Sequence, residues 1–316
     1  QIIKAVGLDS DVVALASLPL SYTFGMSVVN AQLKNNATIV ASNSNLISKQ
    51  TLSLIKKYSV NLIAGVPLHY EQLLSGRFFK SKYSDSITTY LQAGGPLKKD
   101  TQTKLYEQRK SSNFSFISMY GQVEATTRIS VANSSDFDSL SGTVGRPLDG
   151  VCVEIKPLKG FAQNGYSVGE ITCSGPNICP EYVYRYTDLH KLCERPDGTL
   201  HTGDIGYIDE RGNLFITGRI KRFAKIRGIS YNLDDIEDDL FSITNEAIPC
   251  VERNETLYVF CNPISELANI HNDIRKRLWS YGLMDFCIRD DITVPMLSNG
   301  KVDYMGLSKA NSDENS

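Results

Sequence analysis

Short apolar runs alternate with amphipathic stretches through the first part of the chain. Runs at 12–18, 37–41, 60–66, 87–92 and 114–119 predict strands. Between them, helical spacing predicts helices at 24–34 (Met26, Val29 and Leu33 on one side), 49–58 (Leu52, Ile55 and Tyr58), 67–74 and 96–110. Pro67 stands in a first helical turn, where its missing N–H costs nothing. Strand–helix alternation with short loops predicts a parallel sheet covered on both faces. Ligands of such sheets bind beyond the carboxyl ends of the strands.

From residue 125 the pattern changes. Short alternating runs at 126–131, 151–155, 170–173 and from 200 onward are punctuated by Gly and Pro, and no long helix fits. Residues 206–208 and 214–217 pair as a hairpin across the polar turn 209–213. Beyond 220, Asn232 caps a predicted helix that reaches Ile243, with Leu233, Ile236, Leu240 and Ile243 apolar. Asp234, Asp235, Glu237, Asp238 and Asp239 crowd its first turns, which favours the helix dipole over a metal site as their purpose. A strand at 257–261, a helix at 266–279 and a strand at 288–294 complete the pattern. The fold class is α/β: a parallel-sheet subdomain (1–125), a β-rich subdomain (126–220), a small α+β C-terminal domain (221–310) and a polar tail (311–316).

Composition narrows the function. The 316 residues are 41% hydrophobic and 22% charged, with a net charge of -2, which is ordinary for a soluble globular protein. Nothing in that balance points to nucleic acid or an anionic membrane. No apolar run approaches the roughly 20 residues of a membrane span. No signal peptide is visible, and the cysteine pattern makes a reducing cytoplasm the expected compartment. The seven cysteines are odd in number and lack a Cys-x-x-Cys pair, so a disulfide framework is not favoured. Cys173, Cys179, His190, Cys193 and His201 share one span, but their spacing fits no zinc pattern. The chain opens Gln-Ile-Ile-Lys-Ala-Val-Gly-Leu, like the middle or end of an amphipathic helix, without an initiator Met. It reads as a fragment lacking its natural N-terminal part.

Three stretches carry candidate chemistry. Ala93-Gly94-Gly95-Pro96 and Tyr120-Gly121-Gln122-Val123-Glu124 each follow a predicted strand. Glycines there let backbone approach a ligand, a Tyr ring can stack on a flat base, and Glu124 can bind a hard cation. The plainer alternatives are a turn, a packing tyrosine and a solvated acid. Residues 201–228 set Asp204 between glycine-rich neighbours and then five cations in nine residues: Arg219, Lys221, Arg222, Lys225 and Arg227. An acid that grips hydroxyls and a basic cluster that holds phosphate suit a nucleotide. A solvated hairpin with a basic exit is the alternative.

Taken in order, these stretches resemble the adenylate-forming superfamily of acyl/aryl-CoA synthetases, luciferases and peptide-synthetase adenylation domains. Leu18-Pro19-Leu20-Ser21-Tyr22-Thr23-Phe24-Gly25 is similar to its Pro-Leu-Phe-His-x-x-Gly segment, and 93–96 to its adenine-side loop. Residues 120–124 are similar to Tyr-Gly-x-Thr-Glu, and Gly169-Glu170-Ile171 and Thr202-Gly203-Asp204 to later strands. Gly218-Arg219-x-Lys221 through Gly228 resembles the interdomain hinge, and Asn299-Gly300-Lys301-Val302-Asp303 the C-terminal lysine motif.

The resemblance implies that a carboxylate attacks the α-phosphate of ATP and that a thiol then takes the acyl group from acyl-AMP. The thiol is coenzyme A or the phosphopantetheine of an acyl carrier protein. Asp204 would accept from the ribose, and Tyr120 would stack on adenine beside Gly94, Gly95, Gly121 and Gln122. Glu124 would hold Mg²⁺, and Arg219 would contact ribose or phosphate. Lys301 would stabilise the transition state. Lys221 would be the pivot of a mobile small domain, with Lys225 and Gly228 on the thiol side. Tyr22 and Val66 would line the acyl pocket, whose Tyr and Gln rim points to a polar or aryl acid.

The departures also matter. The family's Gly-rich phosphate loop lies upstream of residue 1 by this reading. Val123 replaces a hydroxyl residue, Tyr22 stands where acyl-CoA ligases often have His, and 250–261 is compact. A truncated, non-catalytic nucleotide-binding relative is the alternative from another class. The residues fix neither the acid nor the oligomeric state.

Overall fold

The computed structural model describes residues 1–139, 142–163, 165–179, 182, 185–187, 198–262, 267–297 and 302–310. The chain divides into two compact units, Gln1–Thr217 and Gly218–Ser316. None of the described helices is long and apolar enough to cross a membrane.

The first unit opens with helix α1 (Ile2–Val6) and strand β1 (Val13–Ala16). Helices and strands then alternate: α2 (Thr23–Lys34), β2 (Thr38–Ala41), α3 (Lys49–Tyr58), β3 (Leu62–Gly65), α4 (Pro67–Ser75), β4 (Thr89–Gln92), α5 (Lys99–Ser112) and β5 (Ser115–Tyr120). After β5 come β6 (Ser130–Ala132), α6 (Ser134–Asp138) and β7 (Arg146–Pro147). Among the described residues these strands form one sheet in the order β2-β1-β3-β4-β5-β6-β7. β1 to β5 run parallel, and β6 and β7 close the edge antiparallel.

Alternate side chains leave a strand on opposite faces, and both faces here are apolar. Leu15, Ile63, Tyr90 and Phe116 pack with Ile55 of α3, Leu73 of α4, Leu105 of α5 and Phe137 of α6. Ala14, Leu62, Leu91, Ile117 and Met119 pack on the other side with Val6 of α1 and Phe24 and Val28 of α2. Ser48 caps α3 by accepting from the Thr51 N–H, and Pro67 stands in the first turn of α4 as expected.

Two expectations need correction in this unit. The stripe read from 24–34 is the wrong one: Met26 and Leu33 are 42% and 63% exposed, while Phe24 and Val28 are buried. The helix carries two apolar stripes, and the one with the aromatic ring buries the larger area. The run 126–131 becomes strand only at Ser130. Thr126 and Thr127 sit at φ 51° and 69°, left-handed values that no strand contains.

A second sheet follows, built from β8 (Cys152–Gln163), β9 (Tyr166–Ser174), β10 (Thr199–Ile208) and β11 (Leu214–Arg219) in the order β11-β10-β9-β8. Its apolar side chains Ile171, Cys173, Leu200 and Leu214 share a core with Tyr120, Ala125 and Ile129. The sheet is thereby packed on the carboxyl end of β5. That is the end where the crossover rule places a ligand.

The second unit starts with a single 3₁₀ turn, Ile220–Arg222. The hairpin β12 (Phe223–Ile226) and β13 (Ile229–Asn232) turns at Arg227 and Gly228, both with positive φ. Helix α7 (Leu233–Thr244) is capped by the Asn232 side chain, which accepts from the Asp234 N–H. Then come β14 (Cys250–Arg253), β15 (Thr256–Phe260), α8 (Leu267–Ser280), β16 (Phe286–Arg289) and α9 (Tyr304–Ala310). β14, β15 and β16 form one sheet, with β15 and β16 parallel. Leu233, Ile236 and Leu240 pack with Leu257, Val259, Ile274 and Leu278. The strand expected at 288–294 ends at Arg289, and Val294 is buried outside any strand.

Candidate active site

Asp204 is the most deeply placed of the candidate residues, at 3% exposure. The pairing of β10 with β9 shifts between His201 and Ile205. Such bulges re-aim a side chain, and they are common beside active sites. Three bonds hold this one: Thr202 Oγ1 donates to the Ile171 carbonyl (2.7 Å), and the Asp204 N–H donates to Thr202 Oγ1 (3.1 Å). The Gly203 N–H donates to Glu170 Oε1 (3.3 Å). On Asp204 Oδ2 converge Tyr120 Oη (2.7 Å) and Gln122 Nε2 (2.8 Å). Burial, followed by the Asp204 charge, pushes the Tyr120 hydroxyl well above its ordinary range, so it stays a donor. Three residues expected at a nucleotide are thus joined by hydrogen bonds. The Tyr120 ring itself is buried among Ile129, Leu148 and Ile171.

The 93–95 loop is fixed by a relay through the buried Gln92 side chain. Ser118 Oγ donates to Gln92 Oε1 (2.6 Å), and Gln92 Nε2 donates to the Gly95 carbonyl (2.7 Å). Gly94 has φ 87°, and a Cβ there would lie 2.3 Å from Tyr22 Oη and 3.2 Å from Val66 Cγ1. Only glycine suits that backbone and that approach. Tyr22, Val66 and Gly94 therefore meet at one place, and Tyr22 stands edge-on to Phe24 with ring centroids 6.5 Å apart.

Gly121 has a role that the sequence does not reveal. A Cβ on it would sit 2.2 Å from the Thr127 carbonyl oxygen and 2.7 Å from the Arg128 nitrogen. The glycine is required for two pieces of chain to lie back to back. Glu124 sits in a 3₁₀ turn (Val123–Ala125) beside them and accepts from the exposed Tyr182 hydroxyl. Val123, at the position of the replaced hydroxyl residue, is exposed.

The segment packed on Gly121 ends in Arg128, a cation at 2% exposure. Its Nε donates to Met119 Sδ (3.0 Å) and its Nη1 to the Thr127 carbonyl (2.8 Å). Its guanidinium lies 4.7 Å from the centroid of the Phe24 ring. Among the described residues no carboxylate pairs with it. Burial pulls it down to about 10, partly opposed by Tyr22, so it remains cationic at neutral pH. Sequence reading passed over Arg128 and Gln92. The available signal for Arg128 was an arginine set between Thr127 and Ile129 in a run read as a half-buried strand.

The five cations after 218 belong to the second unit and divide among themselves. Arg222 is half-buried and pairs with Asp234 (2.7 Å) and Glu237, and Arg227 pairs with Asp285. Arg219, Lys221 and Lys225 are exposed, and Gly228 completes the β12–β13 turn. Lys301, Asn299 and Gly300 lie outside the described residues, as do His190 and Cys193. No group of three His, Cys, Asp or Glu side chains suited to a metal is found among the described residues.

Comparison with known proteins speaks for the family and the fold. The chain is 28% identical to 4-coumarate-CoA ligase 1 of Narcissus pseudonarcissus over 244 residues, 76% of this chain and 44% of that protein. It is 26% identical to 2-succinylbenzoate--CoA ligase of Enterococcus faecalis over 284 residues, 87% of this chain and 57% of that protein. It thus spans about half the length of these relatives. Among solved structures, O-succinylbenzoate coenzyme A synthetase of Bacillus subtilis, in complex with ATP and magnesium ion, superposes with a TM-score of 0.72. The match covers 97% of this chain and 63% of that one, and at 23% identity it speaks for the fold. The model of a family described as AMP-binding enzyme matches residues 2–183, more than half of the chain, and the chain belongs to that adenylate-forming family.

Proposed function

We propose that this chain is part of an ATP-dependent acid–thiol ligase, which activates a carboxylic acid as its acyl adenylate and transfers the acyl group to coenzyme A. The observation that carries the reading is the buried Asp204 carboxylate, set on a bulge and already accepting from Tyr120 and Gln122. A carboxylate so placed offers the acceptor chemistry that a ribose diol uses. Tyr120 would stack on adenine with Gly94, Gly95, Gly121 and Gln122 around it, and Arg219 would meet ribose or phosphate. Tyr22 and Val66 would line the acid's side.

In the first step a carboxylate oxygen attacks the α-phosphorus and the bond to pyrophosphate breaks. In the second a thiol sulfur attacks the acyl carbonyl and AMP leaves. Lys301 would stabilise the charge that develops at the α-phosphate, Lys221 would be the pivot between the steps, and Lys225 and Gly228 would face the thiol. Magnesium is commonly held by one or two carboxylates together with phosphate oxygens, and the single carboxylate of Glu124 fits that demand. Bound there, the ion would offset phosphate charge, and Tyr182 would have to share or release Glu124. The relatives' names, CoA ligases, favour coenzyme A over a carrier protein as acceptor.

The test is ATP–pyrophosphate exchange by the full-length protein across a panel of carboxylic acids. Acid-dependent exchange is expected. Lys301→Ala should lower it by about 10²–10³-fold with nucleotide binding retained, the size seen when one transition-state donor is removed. Asp204→Asn should instead weaken nucleotide binding, by roughly 10-fold or more. No exchange with any acid would remove the ligase reading, and full exchange in Lys301→Ala would remove the role given to that lysine.

A further inference from the structure

We propose that Arg128 is a specificity residue of the acid pocket, and that it selects acids bearing a second anionic group besides the carboxyl that is activated. Which pocket this is rests on the ligase reading above. What the pocket takes rests on the surroundings of Arg128.

A cation withdrawn from water is costly unless a counter-charge meets it. The hydrogen bonds and the ring contact of the Arg128 side chain among the described residues all go to neutral groups: a thioether, the carbonyl of its own neighbour Thr127, and the Phe24 ring. None of those hydrogen bonds uses Nη2. The ring and the carbonyl orient the guanidinium and only partly replace its hydration. Its charge survives, because burial brings it down only to about 10. Among the described residues no anion meets it, and a planar fork of donors matches a carboxylate well.

The location makes that anion part of the acid. Arg128 lies over the Phe24 ring, against which Tyr22 stands edge-on, and the Tyr22 hydroxyl stands at the Gly94 and Val66 wall. It bonds Met119, which leaves β5 toward the α2 side, whereas Tyr120 leaves toward Asp204. The guanidinium and the Asp204 carboxylate therefore lie on opposite faces of β5. The carboxyl to be activated must reach the nucleotide, and it loses its charge on becoming the mixed anhydride. A remote anion keeps its charge through both steps, so its pairing with Arg128 would persist.

The experiment compares matched ligands on the full-length protein: aryl and short aliphatic diacids, each beside its half-amide of the same size. Calorimetry with AMP present measures binding, and pyrophosphate exchange measures turnover. The native protein should favour diacid over half-amide by roughly 10- to 100-fold, the value of a hydrogen bond to a charged group. Arg128→Gln should bring the ratio close to one, and Arg128→Lys should restore part of it. AMP affinity and melting serve as the folding check.

Equal binding of diacid and half-amide by the native protein overturns the proposal without any variant. So does an unchanged ratio in Arg128→Gln, or failure of every diacid to bind. Loss of ATP affinity at an unchanged acid ratio would assign Arg128 to phosphate and also overturn it. Discriminating binding without exchange would keep Arg128 in this role and remove the ligase reading instead.

Discussion

Arg128 in the first unit and Arg222 in the second are both withdrawn from solvent, and each lies over an aromatic ring. The distances are 4.7 Å to the Phe24 centroid and 4.1 Å to that of Tyr304. Their partners differ. Arg222 directs Nε to Asp234, Nη2 to Glu237 and Nη1 to the Cys250 carbonyl, while Tyr304 Oη donates to Glu237 (2.6 Å). Burial alone would make Arg222 less basic, but Glu237 and Asp234 more than reverse this and hold it protonated. Arg128 has no such carboxylates among the described residues, and burial prevails. A buried charge whose counter-charges come from its own chain serves the fold. One whose counter-charge is missing points toward a ligand.

The hardest test of that contrast removes Arg222. Arg222→Met leaves Glu237 and Asp234 without their cation, and because Glu237 is mostly withdrawn from water while Asp234 is partly exposed, the cost is about 1–3 kcal/mol. The loss should register as faster hydrogen exchange at the β14 and β15 amides, which belong to the core beside the network. Adding Glu237→Gln to that variant should recover part of the loss, since the orphaned charge is then gone. A cost near zero for Arg222→Met would break the comparison.

The matching substitution in the first unit should behave differently. Arg128→Met gives up a cation–π contact worth about 0.5–2 kcal/mol and gains relief from burying a charge. We expect the unliganded stability of this unit to change by no more than about 1 kcal/mol on that balance. A loss as large as that of Arg222→Met would mean that the chain itself supplies a counter-charge to Arg128, and the two arginines would then be of one kind.

The two arginines also mark the limit of what the residue order reveals. The strands β1 to β5 were legible because each is an apolar run closed by a turn residue, α3 because Leu52 and Ile55 recur at helical spacing, and α4 because a proline stands where the helix begins. Asp204, Tyr120 and Gln122 were legible as separate motif residues. That they converge depends on a bulge and on pairs more than 80 positions apart, which no local pattern encodes. Arg128 was hidden because Thr126 and Thr127 adopt left-handed backbone, so the run that reads as a strand instead turns its arginine inward. The exposed stripe of α2 was misread because both stripes are apolar, and only packing decides between them. Arg222 looked like one more member of a basic run, and nothing local distinguishes it from Lys221 or Lys225.

A smaller effect sharpens the contrast from α4 of the first unit. His69 is part-buried on α4, and its Nδ1 accepts from the Val66 N–H at 3.4 Å. Burial lowers its pKa below the ordinary 6.5, so the folded unit keeps it neutral. The unfolded chain takes up the proton below pH 6.5 and the folded one resists. Its contribution is therefore intact above pH 6.5 and falls away as the solution is acidified past that point. One proton sets the ceiling, about 1.4 kcal/mol per pH unit. Stability measured from pH 7.5 to 5.5 should fall more steeply in the native protein than in His69→Gln, and the excess should be confined to amides of the first unit. Equal slopes would mean that His69 carries none of the acid sensitivity. The two units would then differ through their arginines alone.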